Sequence, residues 1–128
     1  MPPIYDAIHI VRRAVFEALD PLTTAGVYWQ QAAQGAALPF VIYQSQDGGG
    51  SANKRLSNLG WQGLITVKAL AANQSAAETL MLAVSPGMGA LSATGYSISA
   101  EYERPIVLPP QDGVWQCCHQ WRVFLEVG

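Results

Sequence analysis

The chain has 128 residues, half of them hydrophobic, with a formal net charge of −2 and two cysteines. The length suits one domain that buries its own core, and the slightly acidic balance excludes the basic surplus that nucleic-acid-binding proteins usually carry. No apolar run approaches the roughly eighteen residues of a membrane-spanning helix, and the N-terminus lacks the basic-then-apolar order of a signal peptide. We therefore expect one cytoplasmically made domain over residues 1–128, with no membrane partner.

Charged residues are scarce. They make up 12% of the chain, against roughly 25% in typical soluble domains. Gln, Ser, Ala, Gly and Asn therefore fill much of the surface, and the centres of protein interfaces are depleted in charge. The composition favours a subunit of an assembly, with a monomer of neutral surface as the alternative.

The first predicted element is an amphipathic helix. Pro2 and Pro3 suit its start and Pro21 its end. Its apolar stripe recurs at steps of three and four and consists of Ile4, Ile8, Val11, Val15, Ala18 and Leu22. Two strands follow, a short one over Val27–Gln30 and a central one over Phe40–Tyr43, which Pro39 precedes without costing a ladder hydrogen bond.

A glycine-rich segment, Gln46–Asn58, separates these strands from the next one. Its three glycines, Gly48, Gly49 and Gly50, predict a hinge, and Lys54 and Arg55 place two cations near its tip. A phosphate-binding P-loop would need a glycine directly before the lysine and a helix after it, and this segment has neither. We interpret it as a loop that becomes ordered on binding a partner, with an idle solvated loop as the alternative.

Alternation predicts a strand over Trp61–Ala69, in which Leu64 is an apolar residue on the polar face. A second helix is predicted from a capping box of Ser75 and Glu78 and extends to about Val84. Residues 96–103 alternate as a further strand that Pro105 should break. The last strand, residues 115–127, carries Trp115, Cys117, Trp121, Val123, Leu125 and Val127 on one face.

This order, helix, three strands, helix, two strands, predicts an α+β fold. We expect one mixed, mainly antiparallel sheet of about five strands, with hairpin-length connections and both helices packed on one face. Within it, Trp61, Leu64 and Arg122 are the candidate interface residues.

No catalytic or cofactor-binding pattern stands out. The two histidines, His9 and His119, lie far apart, and Cys117 and Cys118 are adjacent residues that we expect to be free thiols. Glu101 and Glu103 share a strand face and could be read as a carboxylate pair, but a solvated face is the ordinary interpretation. We therefore predict no catalytic residue, no metal and no cofactor.

The order of elements resembles the tail terminator family of long-tailed bacteriophages, also called tail completion or tail-to-head joining proteins. The resemblance covers nearly the whole chain. It is carried by the N-terminal helix, the strand start Gly26-Val27-Tyr28, the phrase ALPFVIY at residues 37–43, the mobile loop, the strand Gly63–Ala69, the short helix Ser75–Val84 and the final strand ending WRVFLEV at residues 121–127. Residues 111–119 have no counterpart in the family.

This resemblance implies a non-enzymatic virion protein at the head-proximal end of the tail. Such a subunit would form a six-membered ring on the tail tube, end tube polymerisation and bind the head connector, while DNA passes through the lumen without sequence-specific contact. The loop cations would then pair with an acidic neighbour, a tube subunit or the DNA. The alternatives are another phage neck or head completion protein, a monomeric binding module, and an enzyme that uses Glu101 and Glu103.

Overall fold

The computed structural model describes residues 7–45 and 60–127. Two helices and five strands form in this part of the chain, in the order α1 Ala7–Leu19, β1 Gly26–Trp29, β2 Phe40–Ser45, β3 Gly60–Ala71, α2 Gln74–Val84, β4 Tyr96–Ile106 and β5 Trp115–Val127. Short 3-10 segments follow the two helices, Asp20–Leu22 after α1 and Ser85–Ala90 after α2.

The five strands form one sheet in the order β1-β2-β3-β5-β4. β1 pairs with β2 in parallel, and every other pair is antiparallel. The predicted α+β fold with a mixed, mainly antiparallel sheet is therefore confirmed. The expectation of hairpin-length connections is wrong for β1 and β2. Parallel strands both start at the same end of the sheet, so the chain must return to that end between them. Residues 30–39 form this return connection.

Both helices pack on the same face of the sheet. The core lies between the helices and the sheet. It includes Val11 and Val15 from α1, Leu80 and Met81 from α2, and the strand residues Val41, Tyr43, Trp61, Ile65, Val67, Trp121, Val123 and Leu125. Successive strand side chains alternate between faces, so the remaining strand residues form a second face. We call this second face the open face.

The buried stripe of α1 differs from the predicted one. Its buried residues are Ala7, Val11, Ala14, Val15 and Leu19. Leu22 is instead 42% exposed, because the α-helix ends at Leu19 and the 3-10 segment with Pro21 turns the chain out of the helical path. Ile4 lies outside the described residues.

The start of α2 also differs from the prediction. The residue that caps the helix is Asn73, whose side-chain oxygen accepts a hydrogen bond of 2.8 Å from the backbone N–H of Ala76. Ser75 lies inside the first turn, so the predicted capping box of Ser75 and Glu78 does not form. Glu78 accepts a hydrogen bond from Gln74 Nε2 at 3.1 Å.

Pro105 does not end its strand, contrary to the prediction. β4 continues to Ile106, with a shift of register between Tyr102 and Arg104. β4 lies at the edge of the sheet that the described strands form. One side of an edge strand pairs with no other strand of the sheet, and a missing backbone N–H on that side costs no ladder hydrogen bond.

Candidate assembly surfaces

The glycine-rich segment and its cations, Gly48, Gly49, Gly50, Lys54 and Arg55, lie outside the described residues. Their role as an assembly loop stays a prediction from the sequence.

Trp61, a candidate interface residue from the sequence, belongs to the core. Its side chain is 6% exposed, and its ring lies over Gly63, where an added Cβ would come within 2.7 Å of it. The indole therefore fills the space beside β3 on the helix-covered face, and its role at an interface stays a prediction from the sequence.

Leu64 and Arg122, the other two candidates, lie side by side on the open face. They are directly opposite each other in the pairing of β3 with β5, and both are half-buried. The Arg122 guanidinium donates a hydrogen bond of 3.3 Å to Glu103 Oε1 on β4. The structure thus brings together two residues that the sequence singled out, and links one of them to the carboxylate pair.

The centre of the open face is closely packed although neither helix covers it. Thr66 and Gln120 are each 2% exposed, and Cys118 is 3% exposed. Gln120 Oε1 accepts a hydrogen bond of 3.2 Å from Arg104 Nε. Half-buried apolar side chains surround this centre, among them Ile42, Leu64 and Phe124.

A groove of about 500 Å³ opens between α1 and the β1 edge of the sheet. Its lining combines basic side chains with aromatic and apolar ones. From α1 come His9, Arg12, Arg13 and Phe16, from β1 come Val27, Tyr28 and Trp29, and from β2 comes Tyr43. We call this set the α1 groove. It combines arginine and aromatic residues, the types enriched at the energetic centres of protein interfaces.

Arg12 contacts residues of both strands that line the α1 groove. Its guanidinium lies over the Trp29 ring, 5.4 Å from the ring centroid, and its backbone carbonyl accepts a hydrogen bond of 3.1 Å from the Tyr43 hydroxyl. Burial raises the pKa of Tyr43, and the nearby Arg12 cation offsets part of that rise. Tyr43 therefore stays a neutral hydrogen-bond donor at physiological pH.

One part of this groove has a signal in the sequence. Arg12 and Phe16 are four residues apart and so share one face of α1, although Phe16 does not belong to the predicted apolar stripe. Trp29 comes next to Arg12 only through tertiary packing of β1 against α1.

A cysteine and a histidine approach each other on β5. Cys117 Sγ lies 3.9 Å from His119 Nε2. Burial raises the pKa of Cys117, with a further rise from Glu78, and burial lowers the pKa of His119. Both shifts favour the neutral thiol and the neutral imidazole, whereas a nucleophilic pair needs a thiolate.

Within residues 7–45 and 60–127, no three His, Cys, Asp or Glu side chains converge in a way that could hold a metal ion. Over the same residues, no helix has the length and apolar character needed to cross a membrane. Glu101 and Glu103 are exposed.

The architecture is that of a single-sheet α+β protein with one helix-covered face. Its fold is similar to that of a chain in the virion of a native gene transfer agent particle, with a TM-score of 0.74, 17% sequence identity, and 95% of this chain and 98% of that chain covered. A second solved chain matches with a TM-score of 0.62 and 12% identity over 94% of this chain and 96% of the other. No protein-family model matches the sequence, and neither does any curated protein.

Proposed function

We propose that this protein is a structural subunit of a phage-like virion, in which it forms a ring at the head-proximal end of the tail tube. There it ends tube polymerisation and joins the tail to the head connector. The observation that carries the proposal is the similarity in fold to a gene transfer agent virion chain over nearly the full length of both chains. The order of elements that resembles the tail terminator family supports the more specific role.

The surface of the protein suits such a role. A closed ring needs two different patches on every subunit, each binding the other patch on a neighbour. The chain has few charges, which lowers the cost of desolvating its surface on assembly. It also has a sheet face that neither helix covers and a groove of arginine and aromatic side chains, two residue types that are enriched in interfaces. The proposed partners are further copies of the chain, the tail tube protein and the head connector, and DNA passes through the ring without specific contacts.

The test is electron microscopy of the purified protein, alone and after incubation with tail tubes assembled from the tube protein of the same genome. We expect rings, and tubes that carry a ring at one end and stop growing. Tubes incubated with an equal amount of an unrelated small protein serve as the control. A protein that leaves tube ends bare and tube growth unchanged would contradict the proposed function.

A further inference from the structure

We propose that the α1 groove binds the outer surface of α2 from a second copy of this chain, with Leu82 inserted between the aromatic side chains and Glu78 paired with Arg12. The inference rests on the proposed function, because it names the two surfaces that would join neighbouring subunits of the ring.

The outer surface of α2 complements the α1 groove, because it carries an exposed apolar side chain, Leu82, and a negative charge, Glu78. Leu82 is 74% exposed. Contact between this apolar side chain and water is unfavourable, and a partner that covers Leu82 would remove that cost. Glu78 lies four residues before Leu82, and the two therefore stand one turn apart on the same side of the helix. Glu78 is the single charged residue between positions 72 and 90, so this surface carries one negative charge among neutral side chains.

The α1 groove presents the complementary set at the same spacing. Arg12 and Phe16 are also four residues apart on one helix face, and Phe16 is 40% exposed. Two helices that each offer one charge and one apolar side chain a turn apart can align both pairs at once. Burying an apolar helix face in a groove is a recurrent mode of protein recognition.

The charges of both surfaces are available for this contact. The described residues form two ion pairs, Arg13 with Glu17 and Arg122 with Glu103. Neither pair includes Arg12 or Glu78. Arg12 lies over Trp29 and Glu78 accepts a hydrogen bond from Gln74. Both residues are exposed, so another copy of the chain can reach their charges.

The two surfaces do not overlap, which makes the contact head-to-tail. The α1 groove lies at the β1 edge of the sheet, whereas α2 packs over the central strands β3 and β5. Each copy can therefore use both surfaces at the same time, one toward each neighbour. Such a heterologous contact generates closed rings when the rotation between copies closes.

Single substitutions test the two surfaces by sedimentation velocity over a range of concentrations. We expect Arg12→Glu and Leu82→Asp each to weaken self-association at least about tenfold, as substitutions at interface centres do. Val107→Asp is the matched control, because Val107 is 90% exposed and lies outside both surfaces. Circular dichroism of each variant verifies that the fold is intact, and the charge exchange Arg12→Glu with Glu78→Arg should restore most of the lost association.

Mixing the two weakened variants tests the head-to-tail geometry. The Arg12→Glu copy keeps an intact α2 surface and the Leu82→Asp copy keeps an intact α1 groove, so together they have one good contact and should form a one-to-one dimer and nothing larger. Unmodified protein that grows no larger than a dimer would overturn the head-to-tail contact.

The failure of this inference is distinguishable from the failure of the proposed function. If both variants still form rings and cap tail tubes, other surfaces join the subunits and the inference is overturned, while the proposed function stands. If the unmodified protein binds no tube end, the proposed function fails whatever the variants do in solution.

Discussion

At the scale of single residues, one glycine fixes how closely the segment after α2 approaches α1. Gly87 is buried in the 3-10 segment Ser85–Ala90. A Cβ added to it would lie 2.8 Å from the carbonyl oxygen of Ala18 and 2.9 Å from Leu19 Cδ2. One of these neighbours is backbone at the end of α1 and cannot rotate away, so a larger residue must push the two segments apart.

We expect Gly87→Ala to destabilise the protein by about 1–3 kcal/mol, the usual cost of overpacking a well-packed site. The measurement is urea-induced unfolding followed by circular dichroism. Gly89→Ala is the matched control, because an added Cβ there meets nothing within 4 Å, and its effect should be smaller than about 1 kcal/mol. Equal effects of the two substitutions would show that the close approach to α1 does not limit the site.

At the scale of elements, the start of α2 depends on a side chain outside the helix. The Asn73 side chain satisfies the backbone N–H of Ala76, one of the N–H groups that have no partner within the helix. Asn73 adopts the extended backbone that a capping residue needs, with φ −152° and ψ 166°. Because Ser75 already lies in the helix, its hydroxyl is not the cap.

The Asn73→Ala substitution should therefore lower the free energy of unfolding by about 1 kcal/mol. Ser75→Ala should leave it nearly unchanged, since alanine is the more favourable residue inside a helix. Chemical unfolding of the two variants beside the parent protein measures both effects. A larger loss for Ser75→Ala than for Asn73→Ala would favour the capping box that the sequence predicts.

At the scale of the whole molecule, the scarcity of charge gives each unpaired charge more weight in assembly. In a chain with 12% charged residues, few other charged side chains can pair with Arg12 or Glu78 in place of the proposed partner. A charge pair that forms between subunits is partly solvated, and dissolved salt screens it. The apolar part of the same contact, Leu82 against the aromatic side chains, is not weakened by salt in this way.

We expect self-association to weaken as salt rises from about 0.01 M to about 1 M, a range over which the screening length falls from about 30 Å to about 3 Å. Sedimentation at several salt concentrations measures the dependence. The Arg12→Gln variant should associate less at low salt and respond less to added salt. An equal salt response in both proteins would exclude Arg12 from the contact.

The sequence by itself determined the class of fold and most of the elements. Strand alternation and helical periodicity are local properties, and they predicted both helices, all five strands and the division of β5 into two faces. The same local patterns could not show that β4 is an edge strand in which Pro105 is tolerated, because that depends on which strands become neighbours.

Tertiary structure alone decided which residues of different elements come together. Leu64 and Arg122 came together across two strands, and Trp29 came under Arg12 from a different element. These outcomes follow from long-range packing, in which residues far apart in the chain compete for the same space. No spacing along the sequence encodes that competition, and so the α1 groove became visible only once α1 and β1 were packed side by side.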